Sequence, residues 1–251
     1  MTSLPQYPDY ERDFLKIMDF LQNFEQDGSR MYIQQLLEIS NRERRVLEVR
    51  MDDIEAYTAD EEFAWSLRTN TLRYISLIEL AADSLLPQSS MHPEPDIFDC
   101  IQDQRLRKMQ RLQRDAVEDQ LNEVTAADSG LPRVLLRRFD AIIIPLASEP
   151  PRKIRDVKAV DIGALVKVNG IVTRVTGIKP KVAVVTYVCE ICGCEILQEV
   201  VGLQFMPLQQ CTSQRCKDNG THGRLQMQSR GSKFTKYQEI KIQELPCQVM
   251  K

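Results

Sequence analysis

Four cysteines in two close pairs constrain this 251-residue chain more than any other feature. Cys189-Glu-Ile-Cys192 is followed, after eighteen intervening residues, by Cys211-Thr-Ser-Gln-Arg-Cys216. Two such pairs joined by a short hairpin let four thiolates converge tetrahedrally on one Zn²⁺, at Zn–S distances of ~2.3 Å. Gly193, directly after the first pair, helps the backbone turn toward the metal. The expected ligands are therefore Cys189, Cys192, Cys211 and Cys216. Four sulfurs and no histidine make a closed, structural site, because a catalytic zinc keeps one position for water. Redox chemistry at a lone Cys-x-x-Cys and cysteines that merely pack are the competing readings, and the second pair argues against both. Cys194 adjoins Cys192 and is a rival ligand, whereas Cys100 and Cys247 read as ordinary thiols. His92 and His222 lie in Pro- and Gly-containing loops and read as solvated, with an approach of His222 to the metal's outer shell left open.

Seven cysteines, four of them at metal-binding spacing, suit a reducing compartment better than a disulfide scaffold. No run approaches 18 consecutive apolar residues, so no membrane partner is expected. The N-terminus lacks the basic start and apolar core of a secretory signal. A net charge of -3 conceals an asymmetry. Residues 1–151 hold 17 Lys+Arg against 28 Asp+Glu, a balance of -11, and residues 152–251 hold 16 against 8, a balance of +8. A basic half is a hint of nucleic-acid contact, and two independently soluble halves would look the same by charge alone.

Periodicity divides the chain at nearly the same place. Tyr10, Phe14, Ile17, Met18, Leu21 and Phe24 recur at helical spacing, as do Ile33, Leu36, Leu37, Val46 and Leu47 within 31–50. A third helix is expected over 63–86, stopped by Pro87, a fourth over 97–123 and a short one over 131–139. Trp65 reads as core or bundle edge. Short loops between helices argue for a bundle over 1–145. From Ile154 onward β-branched residues dominate, with Gly163, Gly170 and Gly177 as turns or bulges. Ile240 and Ile242 alternate with Glu239, Lys241 and Gln243 as a half-buried strand. Short, glycine-punctuated strands suggest a small barrel over 152–251 rather than a parallel sheet. The fold class is thus α+β and multidomain, and the proline cluster Pro145, Pro150, Pro151 marks the boundary.

Basic and aromatic residues interleave in the barrel half: Arg174, Lys179, Lys233 and Lys241 among the cations, with Tyr187, Phe205, Phe234 and Tyr237. Cations that track phosphates beside rings that stack bases are the usual chemistry of sequence-tolerant single-strand binding. Lys241 lies on the strand face opposite Ile240 and Ile242, whereas a bulge at Gly170 leaves the facing of Arg174 open. Phe205 and Phe234 read as barrel core rather than stacking platforms. The sequence contains no G-x-x-x-x-G-K-[ST] loop, no G-x-S-x-G and no H-E-x-x-H, so no catalytic residue is expected in it.

The stretch Gly170-Ile-Val-Thr-Arg-Val-Thr-Gly-Ile-Lys-Pro-Lys181 resembles the minichromosome-maintenance (MCM) family of replicative helicase subunits. So do Thr186-Tyr-Val-Cys-Glu-Ile-Cys-Gly193, Phe205-Met-Pro-Leu208 and 231–244, and among eukaryotic subunits the pattern is most similar to the seventh. The resemblance implies a helical subdomain and an OB-type barrel with the zinc ribbon inserted at about 186–225, in a nuclear protein of replication licensing, initiation and elongation. It implies partners: single- and double-stranded DNA, and other MCM subunits in a heterohexamer and a double hexamer. It implies a basic band including Arg174 and Lys179, and also Lys233 and Lys241. The family's ATP-driven helicase activity resides in a module that follows these residues, and the barrel is expected to lack its closing strands. The alternative is a pure protein-interaction piece with no DNA binding of its own.

Overall fold

The structure is a computed structural model that describes residues 9–26, 28–91, 94–116, 131–221 and 223–245. Its residues fall into two compact units, each assembled from separated stretches of chain. Unit 1 takes Met1–Pro93, Arg138–Arg174 and Ile240–Lys251, and unit 2 takes Glu94–Arg137 and Val175–Glu239.

Unit 1 begins with α1 (Tyr10–Asn23), started by Asp9, whose carboxylate accepts from the backbone N–H of Glu11 and Arg12 at 3.2 and 3.3 Å. Its apolar stripe, Ile17, Phe20 and Leu21, is buried together with Leu36 and Ile39 of α2 (Met31–Ser40). The single helix expected over 31–50 is not what forms. Arg42 adopts a left-handed φ of 65° after α2, and Val46–Arg50 is strand β1. Leu47 and Val49 point inward at period two while Glu48 accepts a contact from Arg44 at 3.1 Å. Helix α3 (Met51–Thr58) follows and ends at Ala59, again at positive φ. The helix expected over 63–86 is also divided. Asp60 caps α4 (Glu61–Thr69), Asn70 leaves helical geometry, and α5 (Thr71–Leu85) resumes. The break is stabilised by side chains that compete with the backbone ladder: Thr71 Oγ1 donates to Leu67 O, and Asn70 Nδ2 to the Tyr10 hydroxyl at 3.0 Å. Trp65 on α4 is 66% exposed, at the edge of the bundle and outside its core.

Strand β2 (Asp140–Ile144) lies parallel to β1, pairing Val46 with Asp140 through Arg50 with Ile144, and buries Ala141 and Ile143 in the helical core. Two single 3-10 turns, Ile154–Asp156 and Ala159–Asp161, lead to β3 (Ile171–Val175). Strand β8 (Ile240–Gln243) pairs with β3 in a two-stranded sheet. The sequence expectation of a half-buried strand fails here. Every residue of β3 and β8 is exposed, with Ile240 and Ile242 about half accessible. Gly170 sits where this ribbon closes on itself: a Cβ there would lie 2.7 Å from Gln243 O.

Unit 2 contains α6 (Ile97–Ala116) and the short α7 (Arg133–Leu136), so the helix expected over 131–139 is one turn long. Its sheet is built on the long strand β4 (Lys179–Cys189). One edge of β4 pairs antiparallel with β5 (Glu195–Glu199). The other is shared by β6 (Leu225–Met227), opposite Tyr187–Cys189, and β7 (Lys233–Tyr237), opposite Lys179–Val184 across a bulge. Leu131, Leu135 and Val184 form one small core, with Phe98 and Leu106 of α6 packed against it. Beneath α6 the Arg105 guanidinium, 6% exposed, reaches Glu195, Gly231 O and Thr186 Oγ1 at 3.1, 3.2 and 3.2 Å. The second core contains Val185, Tyr187 and Leu225 together with cysteine sulfurs.

Candidate functional site

Strand β4 runs directly into the first cysteine pair. Cys189, its last residue, is opposite Leu225 of β6, and the chain then turns so that Gly193 N–H donates to Cys189 O at 3.0 Å. Gly193 takes φ +64°, and Cys189 N–H donates to Cys194 O, closing a tight knuckle around Cys192. In the second pair Cys211 N–H donates to Gly223 O at 2.9 Å, and Cys216 lies on α8 (Gln214–Asp218), which Ser213 caps.

These elements bring four sulfurs together. The Sγ atoms of Cys189, Cys192, Cys211 and Cys216 all lie within 4.8 Å of one another, an arrangement that could hold a metal ion. Cys189 to Cys216 is 3.9 Å and Cys192 to Cys211 is 3.6 Å. Sulfurs at the corners of a tetrahedron ~2.3 Å from a central zinc stand about 3.8 Å apart, so the donor set fits that ion in both chemistry and size. Gly223 makes room for it: a Cβ there would be 2.3 Å from Cys189 Sγ and 3.3 Å from Cys216 Sγ. Cys189, Cys211 and Cys216 are buried, which limits water at the site.

The thiols differ in acidity. The Ser213 hydroxyl, followed by the Cys194 backbone, holds Cys192 down to about 6. The Ser213 hydroxyl and then its backbone N–H also lower Cys211. Burial pushes Cys216 up to about 11. Cys194 stands outside the quartet; its thiol faces Glu195 O at 3.6 Å and burial raises its pKa. Cys100 is an exposed free thiol. His92, His222 and Cys247 lie outside the described residues. Ser213 and Gly223 were not singled out as site residues by sequence reasoning. The signal for Ser213 is a cap residue three positions before Cys216.

The four expected phosphate-binding cations occupy different settings. Arg174 on β3 and Lys241 on β8 are exposed on the two strands of one ribbon, where Thr173 Oγ1 donates to Lys241 O at 3.2 Å. Lys179 opens β4, exposed, opposite Tyr237. Lys233 is engaged instead: its ammonium donates to Val134 O and Arg137 O at the end of α7. Arg152 pairs with Asp161 at 3.1 Å, and Arg155 grips both oxygens of Glu244, whose carboxyl its guanidinium holds down to about 2. Among the rings, Tyr187 is buried, and Phe205, expected in the barrel core, packs partly buried against the cluster that includes the cysteines. Phe234 differs from expectation: it is 42% exposed rather than core.

Residues 15–102 match the MCM N-terminal domain and residues 153–251 match the MCM OB domain. The chain is 40% identical over 235 residues to the DNA replication licensing factor MCM7 of Oryza sativa subsp. indica, covering 93% of this chain and 31% of that protein. It is 38% identical over 245 residues to its Arabidopsis thaliana counterpart, covering 97% and 33%, and 40% identical over 248 residues to licensing factor mcm7-A of Xenopus laevis, covering 96% and 33%. The chain thus spans about a third of the length of these curated relatives. Among solved structures, the N-terminal domain of an archaeal MCM superposes with a TM-score of 0.60 at 22% identity, covering 95% of this chain and 77% of that one. At that identity the likeness concerns the fold: helices followed by OB-type strands.

Proposed function

The chain belongs to the minichromosome-maintenance family, whose N-terminal and OB domains it carries, and from that premise we propose that it is the DNA-binding and ring-assembly region of a replicative helicase subunit. The observation that carries the DNA-binding part is the β3–β8 ribbon, which exposes Arg174 and Lys241 on neighbouring strands. Such cations, free to track a phosphate backbone, give affinity that falls steeply with salt. Lys179, in the other unit, is a further exposed cation at the start of β4. Lys233 contributes differently, by holding the end of α7 in place.

The cysteine quartet is a structural zinc ribbon in this reading. Cys189, Cys192, Cys211 and Cys216 would hold the ion, which supplies a cross-link between segments too short to form a large core. The relatives' names as DNA replication licensing factors support a role in DNA replication, and in this reading the chain acts in the nucleus beside other MCM subunits in a hexamer.

Fluorescence anisotropy of a labelled single-stranded oligonucleotide, titrated with the whole chain at two salt concentrations, tests the reading. Arg174→Glu with Lys241→Glu is expected to weaken binding by more than about tenfold and to flatten the salt dependence. Equal affinity in parent and variant would reject the DNA reading in favour of a region that acts through protein contacts alone.

A further inference from the structure

We propose that Ser213 is a positioning residue of the metal centre, its hydroxyl placed within hydrogen-bond distance of ligand sulfurs from both cysteine pairs. The proposal rests on the reading of the quartet as a metal site. Ser213 Oγ lies 3.2 Å from Cys192 Sγ and 3.1 Å from Cys211 Sγ. It accepts from Cys216 N–H at 3.4 Å, as the cap of α8. Ser213 N–H donates to Cys211 Sγ at 3.4 Å. One residue therefore touches three of the four ligand residues.

Proton bookkeeping fixes the direction of the bond. While the cysteines are thiols, the Cys211 S–H can donate to Ser213 Oγ. Once all four sulfurs are thiolates, as ligation requires, they can only accept, and the one proton between this oxygen and the two sulfurs is the hydroxyl's own. The cap bond uses an oxygen lone pair, so it leaves that proton available. Each of these sulfurs also faces a backbone N–H, Cys211 that of Ser213 and Cys192 that of Cys194, and the hydroxyl is a side-chain donor within reach of both. Spreading ligand charge onto a fixed donor, and fixing the sulfur's direction, is what outer-shell groups do for metal retention.

A cap residue alone would give the same α8 geometry, so the test separates capping from proton donation. Ser213→Ala loses both, Ser213→Thr keeps both, and Ser213→Asp keeps the cap but puts a carboxylate with no proton against two thiolates. Zinc content of the whole parent chain is measured first, then the rate of zinc release to a chromogenic chelator. Release is expected to quicken about tenfold in Ser213→Ala and at least as much in Ser213→Asp, with Ser213→Thr close to the parent. In cobalt-substituted protein the sulfur-to-metal charge-transfer band is expected to move to longer wavelength in the Ala and Asp variants only. Slow release and an unmoved band in Ser213→Asp would overturn the proposal and leave Ser213 as a cap. A parent chain without metal would instead remove the metal-site reading itself.

Discussion

Gly223 has an unusual burden for a residue with no side chain. Its missing Cβ is the space that Cys189 Sγ occupies, and its carbonyl receives the Cys211 N–H. Sulfur and backbone are both fixed by their own elements, so a methyl group 2.3 Å from the sulfur displaces one of them. Gly223→Ala is therefore expected to lose bound zinc while secondary structure elsewhere is retained, as read by metal analysis beside circular dichroism. Full zinc content in that variant would show that the hairpin yields more readily than its hydrogen bonds suggest. The cysteine quartet itself was legible because close pairs of one residue type are a local pattern. Ser213 and Gly223 were not, because each matters through proximity to the opposite pair, which spacing along the chain does not encode.

Arg105 shows how a single side chain can tie a helix to a sheet. Helix α6 brings it under cover, where it meets Glu195 at the start of β5, Thr186 in β4 and the carbonyl of Gly231. Glu195 is 38% exposed and can rehydrate, so the loss on truncation falls mainly on the buried hydrogen bonds. Arg105→Ala is expected to cost about 2–4 kcal/mol in urea unfolding, and Arg105→Lys to recover less than half, since an ammonium cannot reproduce the guanidinium fork. A loss below about 0.5 kcal/mol, the usual size for a surface substitution, would contradict this role. The elements that escaped sequence reasoning share a cause. Val46 and Leu47 fit the helical repeat of 31–50 well enough, and β1 is specified by its pairing with β2, from Val46 to Asp140. Local periodicity carries no information about such a partner. Asn70 likewise interrupts α4 and α5 without Gly or Pro, through side-chain bonds whose partners include Tyr10.

The two units have separate cores. The large apolar cluster of unit 1 joins α1, α2, α3, α4, α5, β1 and β2, whereas one of unit 2's clusters includes Cys189, Cys211 and Cys216. Withdrawing a metal that ties together a small cluster removes a large part of its folding free energy. Chelation under reducing conditions is therefore expected to abolish one calorimetric transition and leave the other near its original temperature. Equal shifts in both would mean that the units unfold as one. The distinction between helical and strand-rich stretches was readable from periodicity, but the way chain segments combine into units was not, because it depends on long-range pairings such as β1 with β2 and β3 with β8.

The pairing of β3 with β8 has a consequence for how the molecule is made. A ribosome releases Ile171–Val175 well before Ile240–Gln243, and between them comes every strand of unit 2. Unit 1 likewise receives β2 only after α6 and α7 have emerged. The first helices to appear thus wait longest for completion, while the segment from β4 to β7 is available as one uninterrupted piece. Synthesis order favours the unit with the cysteine quartet reaching its final form first, with the older, N-terminal half closing last on strands that flank that unit in the sequence.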